Sequence, residues 1–241
     1  MSAPVRADRE RPLYLAAGPD RVFGVHTTPP GEASGVGVLM LSGGVYVLST
    51  NRNRLFVRLA RQLAGEGHHA LRIDYRGVGE STGVIGGYAL DDPNPLDVRA
   101  ALDHLTAAGA RRLVAVGSCY GARAAMHVAA DEPALAAMVL FAPPVGDAGR
   151  GEAPTPDLVG DLFVDRLRTL AARRVPTLLV YGEDDNYHRD FQAASGVLGE
   201  LFAPGSSLVV ATLPGKAHGL QRVSTQDALL DMTVRFLSTS V

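Results

Sequence analysis

The chain has 241 residues, 46% of them hydrophobic and 20% charged, enough apolar material for the core of one α/β domain. Its formal net charge of −2 provides no field to gather phosphates or anionic lipid, so nucleic acid is not an expected partner. The opening MSAPVRADRERP is polar and charged, and the longest nearly apolar run, Ala134 to Val145, is too short to cross a bilayer. These features predict a cytoplasmic protein with no membrane partner. The single cysteine, Cys119, cannot form an internal disulfide and needs another explanation.

Residues 1–11 are expected to be a flexible tail. Two β-like runs follow, Leu13 to Ala16 and Val22 to His26, separated by the turn residues Gly18, Pro19 and Asp20, and together they predict an edge hairpin. Val36 to Leu41 is a continuous apolar strand ending in Ser-Gly-Gly, and Asn51 to Ala64 has helical spacing at Leu55, Leu59 and Leu63. The same unit recurs as a strand from His69 to Asp74 and a helix from Asp97 to Thr106. It recurs again as a strand from Arg112 to Gly117 and a helix from Gly121 to Ala130. Strands at Leu135 to Phe141, Val175 to Tyr181 and Ser207 to Ala211, then a helix from Thr225 to Leu237, complete the pattern. Apolar strands alternating with helices predict a single α/β domain over 1–241, with a mostly parallel, mixed sheet covered on both faces. Val84 to Pro95 and Val145 to about Leu162 fall outside the alternation. The second of these, about 145–165, lies where a small lid would sit.

In LVAVGSCYGARAAM, Gly117, Cys119 and Gly121 form G-x-Cys-x-G directly after a strand and before a helix. A tight strand-to-helix turn of this kind exposes its central side chain and leaves room only for glycine two positions to either side. Were Ser118 the central residue, Val116 and Tyr120 would crowd the turn. A lone cysteine is ordinarily a small buried hydrophobe, but the strand, the paired glycines and the helix point to a nucleophile. The helix N-terminus would also favour its thiolate.

In such a turn the acid and the histidine follow the nucleophile in that chain order. His218, in LPGKAHGL between the last strand and the final helix, is the expected base, with His188 as the rival. His26, His68, His69, His104 and His127 fall in strands or on helices, where packing or solvent is their ordinary fate. The acid is expected in YGEDD: Asp185, three residues after Gly182, is the first choice and Asp184 the second. An oxyanion hole would combine the backbone N–H of Tyr120 with one near Gly44 or Val45 in LSGGVY. Position alone suggests a pocket lined by Tyr46, Tyr120, Tyr187 and the loop from Gly146 to Asp161, with His188 nearby. The histidines and carboxylates show no metal-ligand spacing, so no metal or cofactor is expected.

From the edge hairpin through GSCYG and YGEDD to AHGL, the chain resembles the α/β-hydrolase superfamily over nearly its whole length. The segment DYRGVGES, Asp74 to Ser81, resembles that superfamily's loop after the fourth strand, where its role is structural. Cysteine at the elbow, the GGVY loop and RIDYRG resemble dienelactone hydrolases and exosortase-associated hydrolases. The resemblance implies an α/β-hydrolase fold and acyl chemistry on a small-molecule substrate. A thiolate attacks activated acyl groups well and is itself a good leaving group, which favours thioesters, lactones and activated esters over amides. The expected function is hydrolysis of such a group by Cys119, His218 and Asp185. A second possibility is acyl transfer or acyl elimination on a carrier-bound or biosynthetic intermediate, as in polyketide tailoring. A third is a non-catalytic ligand-binding homologue.

Overall fold

The computed structural model describes residues 9–44, 46–85, 89–90, 92–146 and 159–241. Eight strands form one sheet: β1 (Glu10–Ala17), β2 (Asp20–Thr27), β3 (Val36–Leu41), β4 (His69–Ile73), β5 (Arg112–Ser118), β6 (Leu135–Phe141), β7 (Thr177–Gly182) and β8 (Leu208–Leu213). Their order is β1-β2-β4-β3-β5-β6-β7-β8. β1 and β2 form an antiparallel edge hairpin, β2 pairs antiparallel with β4, and the remaining neighbours are parallel. The mixed, mostly parallel sheet expected from the alternation is present. Glu10 and Arg11, assigned above to the tail, instead open β1 and pair with Thr27 and His26; residues 1–8 lie outside the described residues.

The helices are α1 (Leu55–Gly65), α2 (Pro95–Ala107), α3 (Tyr120–Ala129), α4 (Asp161–Ala172), α5 (Asn186–Ala193), the single turn α6 (Ser195–Leu198) and α7 (Val223–Ser240). α1 and α7 pack together on one face of the sheet, while α2, α3 and α4 lie in a row on the other. Covering both faces explains why β3 and β7 are buried at every position and read as unbroken apolar runs. The longer helices α1, α2, α3, α4 and α7 turn matching stripes inward, such as Leu55, Leu59 and Leu63 of α1 and Val98, Leu102 and Leu105 of α2. A fully buried side chain of this size contributes about 1.5–3 kcal/mol of transfer free energy, so these stripes fix the helices to the sheet.

α4 departs from the sequence expectation. Residues 161–165, assigned above to a lid, form its first turn, and the following residues had been given no element. Phe163, Val164, Leu167 and Leu170 are the buried stripe that holds it. Residues 147–158, the middle of the expected lid, lie outside the described residues. The Gly160 N–H donates to the Val145 carbonyl at 3.0 Å, joining the two ends of that segment. Among the described residues no helix is long and apolar enough to cross a membrane, and no group of three or more His, Cys, Asp or Glu side chains is placed to hold a metal ion.

Candidate active site

The chain reverses its connectivity between β3 and β5: β4 lies on one side of β3 and β5 on the other. At such a switch point the loops leaving the carboxyl ends of neighbouring strands diverge and leave a crevice. The strand-to-helix turn after β5 opens there. Cys119 sits between Ser118, the last residue of β5, and Tyr120, the first of α3, with φ 50° and ψ −116°. A non-glycine residue in this region costs roughly 1–3 kcal/mol, so the neighbouring structure must enforce it.

The enforcement is visible in the main chain. The Cys119 N–H donates to the Phe141 carbonyl at 2.7 Å, and its own carbonyl accepts from Ala122 and Arg123 at 3.0 and 3.3 Å. A Cβ on Gly117 would run into the Gly121 carbonyl, and one on Gly121 into the carbonyl of Leu41. Both glycines are therefore required by close approach of backbone. Ser118 is buried, whereas Cys119 is partly exposed.

The loop after β3 presses against this turn. A Cβ on Gly43 would lie 2.9 Å from Ser118 Oγ and 3.1 Å from Cys119 Cβ. Its shape is set by DYRGVGES: Asp74 Oδ1 accepts the Ser49 N–H at 2.6 Å, and the Tyr75 hydroxyl donates to the Ser42 carbonyl at 3.4 Å. Ser42 Oγ closes the loop on the Leu48 carbonyl at 2.9 Å. Gly44, one expected donor, has φ 83°. Val45, the other, lies outside the described residues. Tyr120 opens α3, where first-turn N–H groups point out of the helix end toward the turn.

Of the acidic trio after β7, Asp185 is 7% exposed, while Glu183 and Asp184 face solvent. Asp185 stands at the N-cap of α5 but makes no side-chain cap to that helix. Its Oδ2 instead accepts the N–H groups of Gly182, Ala217 and His218 at 3.1, 3.2 and 2.7 Å. The carboxylate thus pulls the loop after β8 onto the turn after β7. It holds His218 by its main chain; among the described residues no hydrogen bond runs from it to the imidazole.

Tyr187, in the first turn of α5, touches both other members of the set. The Cys119 thiol donates to its hydroxyl at 3.9 Å. Its ring lies 4.5 Å from the His218 ring, centroid to centroid, at a tilt of 63°. His218 lines an open groove with Asp184, Asp185, Lys216, Gln221 and Arg222.

A family model described as serine aminopeptidase, S33, matches residues 51–162, which include the elbow but end before Asp185 and His218. No curated protein sequence matches the chain. Among solved structures, an alpha-beta serine hydrolase homologue from Coxiella burnetii superposes with a TM-score of 0.70 at 19% identity, covering 93% of this chain and 96% of that one. A dienelactone hydrolase from Anabaena variabilis gives 0.69 at 18% identity, over 96% and 98%. An esterase from Pyrococcus furiosus gives 0.71 at 18% identity, over 96% and 92%.

The chain has the α/β-hydrolase fold.

Within the α/β-hydrolase fold, Cys119, Asp185 and His218 all belong to loops at the carboxyl ends of the parallel strands, and two other expectations are revised. Among the described residues no hydrogen bond or ring contact brings His188 to the elbow: its Nδ1–H donates to the Glu183 carbonyl at 3.1 Å, and its ring stacks on Tyr181. The Tyr120 side chain does not line a pocket, because it is fully buried, packs edge-on against Tyr75 and accepts from Asn94 at 3.1 Å. Burial raises its phenol pKa, helped by the nearby carboxylates of Asp97 and Asp92. Tyr46 is 69% exposed in the loop after β3.

The sequence passed over Arg123. Its guanidinium is buried in α3, donates to the carbonyls of Pro144, Gly146 and Leu90, and lies over the Phe163 ring at 5.2 Å. It therefore ties the loop after β6 and the loop before α2 to the helix that carries the elbow. An arginine among the alanines of ARAAM, on a helix read as packing against the sheet, was the available signal.

Proposed function

We propose that this protein hydrolyses activated acyl groups, namely esters, thioesters or lactones, with Cys119 as nucleophile, His218 as general base and Asp185 as the acid that positions it. The observation that carries the proposal is the strained, positive-φ backbone at Cys119, held at the switch point by Gly117 and Gly121. Strain of this kind clusters at functional sites, and here it presents a partly exposed thiol at the crevice.

His218 takes the thiol proton as the sulfur attacks the acyl carbon, and the carbonyl electron pair moves onto oxygen. The Tyr120 N–H, with the Gly44 N–H of the loop after β3, is the proposed donor set for that oxyanion. The intermediate collapses, the leaving group departs with the proton from His218, and the acyl group stays on sulfur. Water then gives its proton to His218, attacks the thioester carbonyl and releases the acid and the thiol. Asp185 contributes by fixing the His218 main chain through its 2.7 Å hydrogen bond.

Thiolates are better leaving groups than amines, so the tetrahedral adduct with an amide tends to revert to reactants. This favours activated acyl substrates over the peptides that the matching family's description suggests. The test is turnover of a panel of aryl esters, acyl thioesters, lactones and aminoacyl anilides by wild type and Cys119→Ala, with products identified by mass. Release of free acid from the first three, lost in Cys119→Ala, is expected. Preferential anilide cleavage, or turnover retained by Cys119→Ala, overturns the proposal.

A further inference from the structure

We infer that Tyr187 is a further catalytic residue of this site: its hydroxyl stabilises the Cys119 thiolate and its ring fixes the plane of His218. The inference rests on Cys119 as the nucleophile.

The geometry places one side chain against both partners of the proton transfer. With Cys119 protonated, the thiol donates to the Tyr187 oxygen across 3.9 Å, a long and weak contact. Once the proton has gone to His218, sulfur is an anion and can only accept. The phenol has a rotatable O–H and answers by turning its proton toward the sulfur. Charge-assisted hydrogen bonds are shorter and roughly twice as strong as neutral ones, so Tyr187 favours the thiolate over the thiol. In this exchange the phenol acts as a hydrogen-bond donor and gives up no proton.

The placement is rigid. Tyr187 follows Asp185 by two residues on the first turn of α5, and Asp185 is bound to the His218 backbone. The acid, the tyrosine and the base are therefore carried as one unit. The tilted ring contact at 4.5 Å restricts rotation of the imidazole.

Because Cys119 is the only cysteine, alkylation of the full-length protein by iodoacetamide reports on it alone. Rate against pH would be measured for wild type, Tyr187→Phe and Tyr187→Leu, beside thermal melts and kcat and KM on an aryl ester. Wild type should show a midpoint below about 8.5. Tyr187→Phe, which keeps the ring, should raise that midpoint by about half a unit or more. Its kcat should fall with little change in KM, and its alkylation rate should rejoin that of wild type at high pH. Tyr187→Leu should add a further loss in kcat without moving the midpoint again.

A wild-type midpoint and kcat in Tyr187→Phe would overturn the inference while leaving Cys119 as nucleophile. An ordinary thiol midpoint in wild type, together with turnover retained by Cys119→Ala, would remove the nucleophile and the inference with it.

Discussion

The Asp185 carboxylate accepts the backbone N–H of His218 at 2.7 Å and so joins the turn after β7 to the loop after β8. An aspartate at a helix N-cap ordinarily bonds the first turn of its own helix. Asp185 turns away from α5 and takes three main-chain donors of the turn and the neighbouring loop.

Asp185→Asn should therefore reduce both activity and stability. The amide can still offer one oxygen to the three N–H groups that converge on Oδ2, but it loses the charge that strengthens all three bonds, costing about 2 kcal/mol, and kcat/KM should fall by about 10²-fold. Asp184→Asn, at an exposed carboxylate, should leave both within a factor of about two. Steady-state kinetics and urea unfolding of the two variants check this; equal losses in both would contradict it.

Gly121→Ala tests the close approach at the elbow. The added Cβ would meet the Leu41 carbonyl, which belongs to a central strand and cannot move aside. A loss of about 3 kcal/mol or more in urea unfolding is expected. Gly196→Ala, where a Cβ meets nothing, is the control and should change stability little.

Far from the elbow, His26 links the edge hairpin to the rest of the domain. Its Nε2 lies 3.0 Å from His69 Nδ1 and its Nδ1 3.1 Å from His104 Nε2. Each contact needs one shared proton, so three neutral rings satisfy both. One added proton fits on an outer nitrogen; a second forces two N–H groups to face each other. Burial, then the neighbouring His104, His69 and Arg11, push the His26 pKa down to about 4.

Since the folded value lies below the unfolded value of about 6.5, the unfolded chain binds more protons between the two. Stability should be full above pH 6.5 and fall as pH drops toward 4, by about 2 kcal/mol after allowing for solvent screening. Urea midpoints measured across this window should decline in wild type and decline less in His26→Leu. An unchanged slope in the variant would assign the decline to other groups.

Arg123→Met should loosen the loops that meet above α3. Three carbonyls lose a charged donor, a cost of about 3 kcal/mol. Amide hydrogen exchange should quicken first around 89–90 and 144–146. Exchange that rises uniformly over the sheet would contradict this local role.

Much of the fold was legible because buried parallel strands leave unbroken apolar runs, and Val36–Leu41 and Leu135–Phe141 are found with the bounds the sequence suggested. α4 was missed because its stripe, Phe163 to Leu170, follows a glycine- and proline-rich stretch that drew the whole region into a loop. Glycine spacing identified the elbow, since only close backbone approach demands that pattern. Asp185 and Asp184 could not be separated by residue type, because the difference is which carboxylate meets the N–H groups of 217 and 218, more than thirty positions away. The histidine chain was illegible for the same reason: His26, His69 and His104 meet only through β-pairing and the docking of α2.

The most direct test of the account is mass mapping of the covalent adduct trapped when the full-length protein is mixed with a slowly deacylating aryl ester. One acyl group is expected on the Cys119 side chain, released on incubation and absent from Cys119→Ala. An acyl group on Ser118, or full ester turnover by Cys119→Ala, would contradict it.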